Sequence, residues 1–115
     1  MIFAQREPMQ WVKIFSSEAE ARERLKDRVL QLLVVHGKRI CLAQHQHTFF
    51  AVQDACSHNS ESLSKGAVNF MGEVVCPWHN YRFDLRTGRE CSSRSADLKT
   101  YPVKADDSGF YIGIY

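Results

Sequence analysis

Two short segments hold the residues best suited to chemistry in this chain: Cys56-Ser57-His58 and Cys76-Pro77-Trp78-His79, with 17 residues between His58 and Cys76. Each sets one thiol and one imidazole a few residues apart, within a stretch of Ser, Gly, Asn and polar turns. Two such loops facing each other present two sulfurs and two nitrogens to a metal. A single zinc accepts that set. So does a two-iron, two-sulfide cluster with the cysteines on one iron and the histidines on the other. Spacing bears on the choice, because the usual Cys2His2 zinc site pairs like ligands, two cysteines on one segment and two histidines on the next. Here each segment mixes the two types, so each loop can give one ligand to each of two irons. That suits a dinuclear cluster better than one tetrahedral ion.

The pattern Cys-x-His-x17-Cys-x2-His is similar to that of Rieske proteins. The run from Cys76 to Gly88, CPWHNYRFDLRTG, closely resembles the second cluster loop of Rieske-type ferredoxins and of the Rieske domains of ring-hydroxylating oxygenases. The resemblance is specific over about residues 54–91. It implies a Rieske [2Fe–2S] cluster with Cys56 and Cys76 on a buried iron that stays ferric. His58 and His79 would hold the outer iron, which takes the electron, with their free ring edges toward solvent. Two ferric ions, two sulfides, two thiolates and two neutral imidazoles sum to zero charge, and to −1 on reduction. An all-cysteine cluster carries two more negative charges. Histidine ligation therefore raises the potential from about −400 mV to roughly −150 to +300 mV.

The resemblance also places the chain within that range. High-potential members carry a disulfide between the loops, at positions that are Glu61 and Trp78 here. They also carry a serine and a tyrosine whose hydroxyls donate to sulfur, where this chain has Tyr81 and Phe83. Fewer donors stabilise the reduced charge less, which implies a low potential for the class. Other positions depart from the family pattern as well. Ser60 and Asn80 stand where glycines are usual, and Ser57 and Ser62 where prolines often occur, while Gly66 and Gly88 are retained. Asn tolerates a left-handed backbone; Ser60 is the less comfortable replacement.

The elements that must position these loops read as β-structure. Gln10–Phe15 is short, aromatic and β-branched, a strand pattern. Ser17-Glu18-Ala19-Glu20 fits a capping box, in which the Ser17 oxygen and the Glu20 carboxylate satisfy the first helical amides. Glu18/Arg22 and Glu20/Arg24 are acid-before-base pairs at i,i+4. With Ala21, Leu25 and Val29 as an apolar stripe, one short surface helix is expected at about 17–27. Val29–Val35, Arg39–Ala43 and Thr48–Val52 form a three-strand meander, with turns at His36-Gly37-Lys38 and at the polar tip Gln44-His45-Gln46-His47. Leu98–Lys104 and Phe110–Ile114 read as two further strands joined by Asp106-Asp107-Ser108-Gly109. The expected fold class is all-β: a Rieske-like β-sandwich or barrel of about 1–53 and 85–115. A two-loop cluster-binding subdomain of about 54–84 is inserted in it, the whole forming a single domain over 1–115.

Composition agrees with an ordinary globular domain: 115 residues, 44% hydrophobic and 24% charged. No apolar run approaches the roughly 20 residues a membrane helix needs. Fifteen Lys and Arg against thirteen Asp and Glu give +2, and no basic stripe marks a nucleic-acid binder. Met1–Pro8 shows no positive start followed by an apolar stretch, so no secretory signal is read there. A reducing cytoplasm is the expected compartment, where cysteines serve as ligands or core residues rather than disulfides.

The remaining conspicuous side chains take plain readings. Cys41 is a small core residue, and a Cys41–Cys91 disulfide is disfavoured. His45 and His47 belong to an exposed polar turn, and His36 to another. Trp11, Phe49, Phe50, Phe110 and Tyr111 are core aromatics, whereas Trp78 and Tyr81 lie beside the cluster, as shields in preference to contacts with the partner. The function implied is one-electron transfer from a flavin-dependent NAD(P)H reductase to a terminal oxygenase; 115 residues leave no room for the mononuclear iron domain of an oxygenase. A small subunit of an assimilatory nitrite reductase is one alternative, supported by Tyr101-Pro102-Val103-Lys104. A zinc-binding interaction module is the alternative of another class.

Overall fold

A computed structural model describes residues 9–78 and 80–115. Met1–Pro8 and His79 lie outside them. Among the described residues, ten strands and one helix follow in order: β1 (Gln10–Phe15), α1 (Glu18–Arg24), β2 (Leu30–Val35), β3 (Lys38–His45), β4 (Thr48–Gln53), β5 (Ala67–Val68), β6 (Glu73–Val75), β7 (Arg82–Asp84), β8 (Thr100–Tyr101), β9 (Val103–Asp106) and β10 (Gly109–Ile114), with a 3-10 turn at Leu63–Lys65. The strands make three sheets ordered β1-β10-β9, β2-β3-β4-β8 and β5-β6-β7, and every pairing is antiparallel. The all-β expectation is met.

The second sheet is the middle layer, because β3 is buried on both faces. Ile40, Cys41, Leu42 and Ala43 are all fully buried. Side chains alternate along a strand, so Ile40 and Leu42 enter one core with Phe15, Phe110 and Ile112. Cys41 and Ala43 enter another with Cys56, Cys76, Val74 and Phe83. One strand thereby joins the core of the base to the core beneath the two loops. The meander turns tightly at His36-Gly37 and Gln46-His47, with positive φ at all four residues, as two-residue hairpins of right-twisted strands require. β3 continues through His45, so the second tip is shorter than the four residues expected from polarity.

The helix also differs from its expected form. It spans Glu18–Arg24 and ends at Leu25, whose φ of −122° is extended. Ala21 and Leu25 are fully buried, but Val29 is 43% exposed and lies outside the stripe. Ser17 Oγ accepts from the Glu20 amide at 3.0 Å, while the Glu20 carboxylate accepts from the Ser16 amide at 2.9 Å rather than from Ser17. The reciprocal half of the capping box is therefore displaced by one residue. Leu98–Lys104 is two strands instead of one, because Pro102 has no N–H to continue a ladder. β8 pairs with β4, and β9 pairs with β10, so the proline marks where the chain changes sheet. Phe110 is buried, whereas Trp11, Phe49, Phe50 and Tyr111 are half-buried at the rim of the cores.

Gly66 follows the 3-10 turn and sets how closely it packs on β6. A Cβ on Gly66 would stand 2.0 Å from the Val75 carbonyl oxygen. Backbone on both sides leaves no flexible group to yield. Gly66→Ala is expected to cost roughly 1–3 kcal/mol, as overpacking does, measured by urea unfolding. A change below about 0.5 kcal/mol, the level of an ordinary surface substitution, would contradict this close approach.

Candidate metal centre

The two loops repeat one backbone design. The Cys56 amide donates to Glu61 O at 2.8 Å, and the Cys76 amide donates to Tyr81 O at 2.8 Å, five residues ahead in each case. The residue before each acceptor is left-handed, Ser60 at φ 63° and Asn80 at φ 54°. These are the two positions where glycine is usual. Ser60 thus adopts the left-handed turn despite its Cβ, held by its amide donating to Cys56 O at 2.7 Å. Asn59 joins the loops, its Oδ1 accepting from the Glu61 amide at 3.0 Å while lying 4.0 Å from Cys76 Sγ.

The structure brings Cys56 and Cys76 together. Both are buried, at 1% and 0% exposure, in one core cluster. Burial pushes the Cys76 thiol up to about 11. The Trp78 backbone N–H pulls against this, and the hydrogen bond and charge of Cys56 and the charge of Glu61 add to it. His58, by contrast, is exposed. His79 lies outside the described residues. Of the two aromatic neighbours, Tyr81 is half-buried and its ring stacks on the His58 ring, with centroids 3.9 Å apart and planes 9° apart. Trp78 is 54% exposed, which does not fit the shielding expected of its indole, and Tyr81 is the ring placed against His58.

Loop one is pinned from beneath by Asp54, which is 1% exposed. Its carboxylate accepts from the Ser64 amide at 2.9 Å and from the Ser62 hydroxyl, with Arg39 at 3.5 Å. Ser57 is tied outward, its hydroxyl donating to Ala96 O and meeting Ser95 Oγ at 2.9 Å. The two serines that stand in place of prolines therefore hold the loop by hydrogen bonds rather than by backbone stiffness.

A third segment, residues 89–97, was not singled out by sequence reasoning. Glu90 is 1% exposed, and its carboxylate accepts from the amides of Ser92 at 2.8 Å and of Arg94. Burial raises the Glu90 carboxyl, but these amides and the Arg94 charge outweigh it and hold the group below the usual range. The Arg94 guanidinium lies 3.8 Å from the Tyr81 ring centroid. The segment so touches both loops. A buried carboxylate and its arginine read in sequence as ordinary surface charges, so only the four-residue spacing of Glu90 and Arg94 hinted at the pair.

The other two cysteines lie outside the two loops. Cys41 is fully buried, and burial, with the nearby Asp54 charge, pushes it up to about 12. Cys91 is exposed and donates to Glu73 Oε2 at 2.8 Å. Both are free thiols. His45 Nε2 lies 2.9 Å from Phe70 O, and His47 is exposed.

A β base carrying two like-built loops, with sulfur buried and imidazole exposed, defines a small metal-centre domain of the two-loop type. The Rieske [2Fe-2S] domain model matches residues 10–102, and the chain belongs to that family. Its cofactor is a Rieske-type [2Fe–2S] cluster. Among curated relatives, the 3-phenylpropionate/cinnamic acid dioxygenase ferredoxin subunit of Photorhabdus laumondii is 42% identical over 76 residues, 65% of this chain and 72% of that protein. The ferredoxin of carbazole 1,9a-dioxygenase from Nocardioides aromaticivorans shares the fold, with a TM-score of 0.76 at 24% identity over 89% of this chain and 95% of its own. A Mycobacterium tuberculosis protein assigned as an NADH-dependent nitrite reductase small subunit also shares it, with a TM-score of 0.79 at 16% identity over 95% and 98% of the two chains.

The donor set fits the cluster on its chemistry. Ionising two thiols buried in one core cluster is costly unless a cation stands between them, and ferric iron supplies that charge. The Asp54 pin yields a separate test. Asp54→Ala leaves the Ser62 hydroxyl and the Ser64 amide without their acceptor, which is expected to cost about 2–3 kcal/mol in urea unfolding. Stability within about 0.5 kcal/mol of the parent, as for a surface substitution, would contradict the pin.

Proposed function

We propose that this chain is a one-electron carrier, a Rieske ferredoxin that receives electrons from a flavin-dependent NAD(P)H reductase and passes them to a terminal oxygenase. The observation that carries the reading is the polarity of the site: two thiols buried in one core cluster, and the His58 imidazole exposed. In this reading Cys56 and Cys76 hold the inner iron, and His58 and His79 the outer one. The cluster supplies reversible one-electron chemistry at a moderate potential. The protein's part is to keep the sulfurs dry and the imidazole end open to a partner. Chemistry beyond electron transfer is left to that partner.

The 42% identity to a dioxygenase ferredoxin subunit supports an oxygenase as the acceptor. The likeness to the nitrite reductase subunit, at 16% identity, is one of fold and gives that alternative less support. We place the base at about 1–53 and 85–115, and the cluster-binding part at about 54–84. A cytoplasmic location is part of the proposal; no helix among the described residues is long and apolar enough to cross a membrane.

Two experiments test the reading. His58→Ala opens a coordination position on the outer iron and is expected to abolish or destabilise the cluster; an unchanged Rieske spectrum in that variant would remove His58 from the ligand set. Protein-film voltammetry is expected to place the parent in the lower half of the Rieske range, below roughly +75 mV.

Phe83→Tyr adds one hydroxyl within the core cluster that holds both cysteines, at a ring with 0% exposure. A differential of ~1–2 kcal/mol from that donor corresponds to a rise of roughly 40–90 mV. A parent near the top of the range, or a downward shift with intact spectra, would contradict donor control. Tyr81→Ser is a poorer test, because it also removes the ring stacked on His58.

A further inference from the structure

Arg94 and His58 both lie against Tyr81. The guanidinium carbon is 3.8 Å from the Tyr81 centroid, and the imidazole centroid is 3.9 Å from it with its plane 9° from parallel. A group that near a ring's centroid lies over a face and not at the edge. Two planar groups over one face at these distances would overlap each other. They therefore occupy opposite faces, and Arg94, Tyr81 and His58 form a three-layer sandwich. Its outer plate is anchored: the Arg94 amide donates to the buried Glu90 carboxylate, and Nε lies 3.9 Å from the same oxygen. The Arg94 side chain is 47% exposed, so it remains close to solvent.

We propose that Arg94 is a positioning residue for the electron-accepting end of the centre, fixing the Tyr81 plane against His58 and placing a positive charge that favours the reduced state. This rests on the reading of His58 as a ligand. A metal-bound histidine takes its orientation from what its ring touches beyond the metal, and here one whole ring face is covered by Tyr81. Arginine suits the outer position because its guanidinium is planar, stacks on aromatic faces and keeps its charge at all working pH values. Reduction adds one electron, supplied by an electrode or a one-electron donor, and one negative charge; no proton need move. A cation two stacking distances from the imidazole lowers the energy of that added charge. Removing it also takes away one of the groups that offset the Glu90 charge, which acts in the same direction.

The test is film voltammetry on cluster-loaded parent, Arg94→Gln and Arg94→Lys at low and high ionic strength, with the reduced-state spectrum recorded for each. Arg94→Gln is expected to shift the one-electron equilibrium about threefold toward the oxidised form, about 28 mV. The shift should shrink at high salt, since the group is partly exposed. Arg94→Lys keeps the charge without the planar plate, and is expected to recover more than half of the shift at low salt. An unchanged potential in Arg94→Gln with an intact spectrum would overturn the proposal. An equal fall in both variants would overturn the charge assignment. Failure of the underlying ligand reading is separable, because it appears as an intact cluster spectrum in His58→Ala whatever Arg94 does.

Discussion

Two thiolates in contact repel, and the repulsion grows in a dry interior where water does not screen it. Cys56 and Cys76 are both buried in one core cluster and would meet that repulsion as thiolates. Much of the surrounding architecture serves to hold that arrangement until positive charge is supplied. The core beneath the loops is built from Cys41, Ala43 and Val52 on one side and from Val74, Phe83 and Leu63 on the other. The close approach at Gly66 brings the 3-10 turn that follows loop one onto the end of β6, where loop two begins. The matching amide-to-carbonyl bonds of the two loops, each with a left-handed residue before the acceptor, curl both cysteines inward by one mechanism.

The imidazole end follows a different logic. His58 is exposed, so it must be oriented without being buried. Stacking on Tyr81 does this, and the segment after β7 completes it by laying Arg94 over the other face of the same ring. The cost of burying Glu90 is offset by two backbone amides and by Arg94. An electron carrier needs such a division: a rigid dry half that limits structural change on reduction, and a wet half that a partner can approach. Stacking also holds a ring without adding a fixed negative charge beside a centre that gains one on reduction.

The family and its cluster type were the most legible features, because metal coordination restricts residue type more strictly than packing does. β1 was legible to the residue, since aromatic and β-branched side chains over Gln10–Phe15 leave little choice of conformation. The three-strand meander was legible for the same reason. Other features depend on tertiary contacts that no local pattern encodes. Val29 continues an apolar stripe in sequence, yet the helix stops at Leu25 and leaves it outside. Pro102 signals an interruption but not a change of partner sheet. Ser60 looks unsuited to a left-handed turn until its amide bond to Cys56 is seen. The pairing of Glu90 and Arg94, and their reach to Tyr81, required the third loop in place.

The metal centre is a two-iron cluster rather than a single ion. The most direct measurement is quantification of iron, acid-labile sulfide and zinc in anaerobically purified protein, together with electron paramagnetic resonance after reduction. The account predicts red-brown protein with two irons and two sulfides per chain and a rhombic Rieske resonance. Colourless protein holding one zinc per chain and no sulfide would contradict it.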